Sequence, residues 1–193
     1  MSRFSISDGL IGERVVLREF TMGDVEAMYS YLSDDEVFRH ISWAQPTLDE
    51  TAESVREAME AARATPRPDY ELAVTLRETG EVVGQVTLKT DRYIPRLRQR
   101  TSELGYMLRR DCWGRGIATE AARLLLDFAF GQLGLHRVFA VVGDDNPASI
   151  RVLEKLGFRR EARHVKDAFH GGEWFTTLIY AVLEDEWTRL EVV

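Results

Sequence analysis

The stretch Trp113-Gly-Arg-Gly-Ile-Ala-Thr119 constrains this chain more than any other part of it. Two glycines, Gly114 and Gly116, sit between a strand-like segment at 101–108 (TSELGYML) and a helix-like one at 117–132. Glycine permits backbone angles that side-chain-bearing residues resist, and lets main-chain N–H groups come close to an anion. The helix that starts at Ile117 adds unpaired N–H groups and a partial positive charge. Such a strand–turn–helix is a site for phosphate or pyrophosphate. Arg115 offers a charge-assisted contact there and Thr119 a hydroxyl. A turn that merely joins strand to helix stays open as the alternative, because short glycine patterns are common.

Two nucleotide-binding patterns are excluded. The chain has no G-x-x-x-x-G-K-[ST], and Gly114-Arg-Gly116 is followed by Thr119 rather than by the third glycine of G-x-G-x-x-G. The flanking segments also have the wrong order for a dinucleotide fold. Residues 14–20 read as a strand, and Thr21 to Asp24 caps a helix carrying Val25, Met28, Tyr29 and Leu32. Thr47 to Glu50 is a second capping box, opening a helix that Pro66 and Pro68 close. Residues 70–77 and 81–89 form a hairpin around Glu78-Thr-Gly-Glu81, and 91–100 reads as an arginine-bearing loop (Arg92, Arg96, Arg98, Arg100). Gly105 inside the next strand marks a bulge or a close approach. Strand 137–142, helix 147–156 and strands 158–164 and 174–183 complete the order, a mixed α/β pattern in one domain over 1–193.

Composition narrows the function classes. In 193 residues, 25 Lys and Arg against 32 Asp and Glu leave a net charge of −7, which opposes nonspecific nucleic-acid binding. The hydrophobic share of 45% is enough to fill one sizeable core without staples. Cys112 is the single cysteine, so no intrachain disulfide forms; with four scattered histidines no zinc site can be drawn, and no metal is expected. No apolar leader or membrane-length run is visible, and a cytoplasmic location is expected.

Three motifs at fixed spacing then point to one family. ELGYML, CWGRGIATEAARLLLDFAF and DDNPASIRVLEKLGFRREA together resemble the GNAT N-acetyltransferases, and within them the RimJ/RimL-like branch. The likeness is strongest over 103–162, and the order of elements suits that family over 14–183. It implies a mostly antiparallel, twisted sheet of about seven strands flanked by helices. Splayed central strands in that fold receive acetyl-CoA, with an amine acceptor that is a protein N-terminus or a small amine. The resemblance places the pyrophosphate on the turn Trp113, Gly114, Arg115, Gly116, Ile117, Ala118 and Thr119. It places the pantetheine arm on main-chain groups of Met107 and Leu108, and lines the tunnel with Asn146 and Ser149. Trp113 stands where the family carries Gln or Arg, so its indole takes a packing role instead. The tyrosine acid that many members carry seven residues beyond the asparagine is replaced here by Leu153. Monomers and homodimers are both compatible with the resemblance.

The chemistry sets its own requirements. An ammonium cannot attack a thioester, and an α-amine with pKa near 8 loses its proton more readily than a lysine at about 10.4. A carboxylate base, a main-chain donor for the oxyanion and a proton for the leaving thiolate are needed. Glu103 is the first candidate base, because alternation puts Glu103, Gly105 and Met107 on one face of their strand. Ser149 is the candidate donor to the thiolate, and Asp167, His170 and Glu173 are secondary candidates. Cys112 reads as a small buried residue rather than a nucleophile. Phe38, His40 and Trp43 either shape an acceptor pocket or pack. An acyltransferase for aminoglycoside-like amines or polyamines, or a CoA-binding sensor without turnover, are the competing functions.

Overall fold

A computed structural model of the chain describes residues 6, 9–41, 44–67, 69–90, 100–170 and 172–190. Hydrophobic alternation is turned into one eight-stranded sheet, ordered β1-β2-β3-β4-β5-β6-β8-β7. The strands are β1 (Leu10–Ile11), β2 (Val15–Glu19), β3 (Asp69–Leu76), β4 (Val82–Thr90), β5 (Thr101–Leu108), β6 (Arg137–Gly143), β7 (Arg159–His170) and β8 (Glu173–Leu183). Neighbours are antiparallel except β5 and β6, the one parallel pair among the described residues. The expected count of about seven rises to eight because Leu10 and Ile11 pair back onto Leu17 and Val16, a two-residue strand too short to leave a periodic trace.

Helices cover both faces. On one side lie α1 (Val25–Leu32), the short α2 (Asp35–Phe38) and α3 (Leu48–Arg63), whose Met28, Tyr31, Phe38, Val55 and Ala58 pack with Ala73 and Val82. On the other lie α4 (Ile117–Gly131), α5 (Pro147–Lys155) and α6 (Glu184–Leu190). There Leu125, Leu126, Leu153 and Trp187 join Leu17, Leu72, Val83 and Val138 in the larger core. The local signals explain the helix starts. Thr47 N–H donates to Glu50 Oε2 at 2.7 Å while Glu50 N–H donates to Thr47 Oγ1 at 3.2 Å, a reciprocal capping box. Asp24 joins β2 to α1 through a fork of bonds from Arg18, at 2.7 and 2.8 Å. The Arg18 guanidinium and Thr21 hold the Asp24 carboxyl below its ordinary value, outweighing burial that pushes it up.

Two helices were not expected. The four residues of α2 are too few for a periodic pattern, and α6 extends the ordered core beyond residue 183. β7 also runs on to His170 rather than stopping at residue 164, with register shifts between Arg160 and Ala162 and between His164 and Ala168. No described helix is long and apolar enough to cross a membrane. Of the arginine-bearing segment, Arg92, Arg96 and Arg98 fall outside the described residues.

Candidate active site

The site is a fork in the sheet. β5 and β6 pair over Thr101 to Glu103 with Arg137 to Phe139, and among the described residues no rung joins them beyond Glu103 and Phe139. Main-chain direction decides which groups face the gap. Arg109 N–H donates to the Val83 carbonyl at 2.8 Å, in continuation of the register that sets Met107 opposite Gln85 and Gly105 opposite Thr87. In an antiparallel pair the hydrogen-bonded residues alternate with those whose main-chain groups turn the other way. Gly105 and Met107 therefore turn their N–H and C=O groups to β4, whereas Tyr106 and Leu108 turn theirs into the fork. This corrects the expectation for Met107: its main chain belongs to the β4 ladder, and its side chain packs toward the α1–α3 cluster. The Leu108 carbonyl accepts from the indole N–H of Trp113 at 2.8 Å, so that half-exposed ring closes the edge of the fork.

The glycine turn stands at the open end. Gly114 and Gly116 adopt φ of 70° and 78°, in the left-handed region that favours glycine. Gly116 is also the N-cap of α4, and the Ile117 side chain is buried in the core, which fixes where the helix begins. The N–H groups of Gly114, Arg115 and Gly116 make no hydrogen bond to any described residue. Ala118 and Thr119 follow in the unpaired first turn, half-buried. These residues fit the anionic half of acetyl-CoA.

The two faces of the fork carry different chemistry. On the α4–α5 face, Asn146 Oδ1 caps α5 by accepting from Ser149 N–H at 3.0 Å. Tyr106 reaches across from β5, its hydroxyl 2.8 Å from Ser149 Oγ and donating to the Ser149 carbonyl at 3.1 Å. Burial pushes the Tyr106 phenol up to about 12, against a lowering by its bond to Ser149, so it stays protonated at neutral pH. Ser149 and Leu153 are four residues apart on α5, so Tyr106 brings a phenol to the helix face from which the expected tyrosine acid is missing. On the α1–α3 face, Glu103 stands at the crotch of the fork, opposite Lys89, half-buried. Glu71, Thr87 and Gly105 form the next row on that face. A Cβ on Gly105 would lie 2.7 Å from Thr87 Oγ1, so this glycine marks a close approach and not a bulge. Gln85 donates to Glu71 Oε1 at 3.4 Å and accepts from Tyr31 at 2.9 Å. Burial pushes the Glu71 carboxyl up, with Lys89 pulling it down and Asp69 and Glu57 adding to the rise.

α2 spans the mouth between the strand ends. Asp34 before it lies 3.2 Å from Arg110 beyond β5, and His40 after it lies 3.3 Å from Asp145 beyond β6. Phe38 is buried in the α1–α3 cluster, and Trp43 falls outside the described residues. The secondary candidates sit elsewhere. Asp167 accepts from Thr177 N–H and Oγ1 at 3.2 and 2.7 Å across the β7–β8 hairpin. Glu173 opens β8 in that hairpin, exposed, and pairs in register with His170. Cys112 is buried in the core, where its thiol is pushed up by burial and by Asp111, which suits packing rather than nucleophilic attack. Among the described residues no cluster of metal-ligating side chains occurs. Sequence reasoning missed Tyr106 and Glu71. Tyr106 was legible as a polar-tipped residue alternating with Leu104 and Leu108, and Glu71 as a carboxylate beside the apolar run Leu72-Ala73-Val74.

Comparison with known proteins agrees with this geometry. Residues 14–159 match the model of the acetyltransferase (GNAT) domain. An uncharacterized N-acetyltransferase of Bacillus subtilis, YnaD, is 31% identical over 175 residues, 91% of this chain and 96% of its own. The crystal structure of a GNAT-family acetyltransferase from Bacillus anthracis superposes with a TM-score of 0.78 at 30% identity, covering 91% of this chain and 98% of that one. At 20% identity, the fold is also shared by a spermidine N-acetyltransferase from Vibrio cholerae, solved with CoA and spermine (TM-score 0.78, covering 92% and 99%). With a fork, a phosphate-type turn and matched relatives over most of its length, this chain belongs to the GNAT family of N-acetyltransferases.

Proposed function

We propose that this protein is a cytoplasmic enzyme of the RimJ/RimL-like branch that acetylates a protein N-terminal α-amine from acetyl-CoA by direct attack in a ternary complex. The observation that carries the reading is the split of the fork: a carboxylate, Glu103, on one face and the Ser149–Tyr106 hydroxyl pair on the other. Direct transfer needs that arrangement, because the base must act on the incoming amine and the acid on the departing sulfur. Glu103, directly or through water, takes the proton from the acceptor nitrogen as it attacks the thioester carbon. The N–H groups of Tyr106 and Leu108 face the fork and donate to the developing oxyanion. Ser149 gives a proton to the departing thiolate, and Tyr106 holds the Ser149 hydroxyl in place. The residues of the turn, Gly114 to Thr119, hold the pyrophosphate, and Asn146 orders the helix that carries Ser149.

A polyamine acceptor is the second reading, favoured by Asp69, Glu71 and Glu103 sharing the α1–α3 face, where a multiply charged amine would gain most. Incubating the purified protein with acetyl-CoA and measuring free thiol tests both. Peptides with a free N-terminus should release CoA and the same peptides blocked at the N-terminus should not. Release with spermidine alone moves the assignment to the second reading. Tight acetyl-CoA binding without thiol release from any amine overturns both and leaves a sensor.

A further inference from the structure

Arg14 precedes Arg115 by 101 residues, yet its side chain is built into the glycine turn. Its Nη1 donates to the Arg115 carbonyl at 2.6 Å, and its Nε to Glu120 Oε2 at 2.7 Å. Main-chain N–H groups of Arg14 and Val15 donate to the other oxygen of Glu120, at 2.7 and 3.3 Å. Arg14 Nη2 lies 3.2 Å from the point a Cβ on Gly116 would occupy, so any larger residue there would press on the guanidinium. A Cβ on Gly12 would stand 2.5 Å from Glu120 Oε1, so the β1–β2 turn also closes against this carboxylate.

Peptide geometry and charge give these contacts a role. In a trans peptide the C=O and the following N–H point in opposite directions. Holding the Arg115 carbonyl on Arg14 therefore turns the Gly116 N–H away from the guanidinium, to the side left open for an anion. Glu120 lies in the first turn of α4, where its negative charge opposes an incoming pyrophosphate. The Glu120 carboxyl is pushed up by burial, but the bonds from Arg14 and Val15 outweigh this and hold it below its ordinary value, ionised at neutral pH. Arg14 neutralises the charge that the helix start itself carries.

We propose that Arg14 is a positioning residue for the pyrophosphate of acetyl-CoA, and that its pairing with Glu120 sets the affinity of the turn for that anion. This rests on the acetyl-CoA reading above. Titration calorimetry of the full chain with acetyl-CoA tests it on wild type, Arg14→Ala, Arg14→Lys, Glu120→Gln and the Arg14→Ala/Glu120→Gln double variant. Arg14→Ala should raise Kd about tenfold or more, because it leaves Glu120 without its counter-charge beside the phosphates as well as freeing the turn. Arg14→Lys keeps the charge but loses the planar fork, and should fall between the two. Glu120→Gln alone should stay within about threefold of wild type, and adding it to Arg14→Ala should recover at least about threefold of the loss. A brace that only supports the fold would gain nothing from the second substitution. Arg14→Ala within about twofold of wild type, or no recovery in the double variant, overturns the proposal. Should Arg14→Ala not fold, Arg14→Lys with and without Glu120→Gln decides by the same two criteria. Failure of wild type to bind acetyl-CoA overturns the proposed function itself.

Discussion

The Tyr106 hydroxyl lies 2.8 Å from Ser149 Oγ, joining the middle of β5 to the first turn of α5 across the fork. Either oxygen can donate across this contact; with the phenol's proton on the Ser149 carbonyl at 3.1 Å, the Ser149 hydroxyl is the donor. In the proposed reaction that arrangement leaves Ser149 a proton for the departing thiolate, with a neutral phenol behind it. Tyr106→Phe and Ser149→Ala should each lower kcat by about 10- to 100-fold. If the two act as a unit, the double variant loses little more than the worse single one. Steady-state rates at saturating acetyl-CoA measure this; simple multiplication of the two losses would separate their roles.

Glu103→Gln should lower kcat/KM by about 100-fold at neutral pH, with a pH profile that reveals the acceptor. Without the carboxylate, only acceptor already deprotonated in solution reacts. The rate should then climb about tenfold per pH unit and level off near the pKa of the amine. That plateau falls near 8 for an α-amine and near 10.4 for a lysine-like amine. A profile parallel to wild type across this range removes Glu103 as the base.

Burial raises the Glu71 carboxyl, and the sign of its effect on stability follows. The folded protein binds this proton more tightly than the unfolded chain, so stability falls as pH rises from the unfolded value of about 4.3 through the folded one. At pH 7, well above the unfolded value, the wild type carries this penalty. Glu71→Gln removes it and can keep a bond with Gln85, so its melting temperature should exceed wild type at pH 7. The gain should vanish below about pH 4, where both states of the wild type are protonated. Calorimetric scans at pH 4 and pH 7 check it, and an equal shift at both would assign the change to packing.

Local signals were legible because their physics is local. The capping box of Thr47 and Glu50, the cap of Asn146 on Ser149 and the positive φ at Gly114 and Gly116 each depend on residues within a few positions. Contacts across the sheet were not, since nothing near Tyr106 announces Ser149, 43 residues on, and nothing near Arg14 announces Glu120. The error over Met107 has a different source. Side-chain alternation along β5 follows from its own sequence, but main-chain direction alternates too, and its phase is set by the partner strand. α2, with four residues, has no periodicity to read; Phe38 packs it into the α1–α3 cluster, and the contacts of Asp34 with Arg110 and of His40 with Asp145 tie its ends.

The contacts at the two ends of α2 bear on the acceptor side. Asp34 with Arg110 and His40 with Asp145 hold α2 across the mouth of the fork, one at each strand end. Both contacts are partly exposed, and the Asp34–Arg110 ion pair stabilises the protein by about 0–1 kcal/mol, so losing both leaves the fold intact. The effect should appear in the acceptor instead, because Phe38 packs α2 into the cluster on the α1–α3 face, the face that carries Glu103. Arg110→Ala with Asp145→Ala should raise the acceptor KM about three- to tenfold by letting α2 sample other positions, a loss of preorganisation. The Kd for acetyl-CoA should move less than about twofold, because Gly114 to Thr119 keep their bracing by Arg14. Calorimetry with acetyl-CoA and initial rates with varied acceptor separate the two quantities. A loss confined to acetyl-CoA would show that α2 shapes the cosubstrate side of the fork and not the acceptor side.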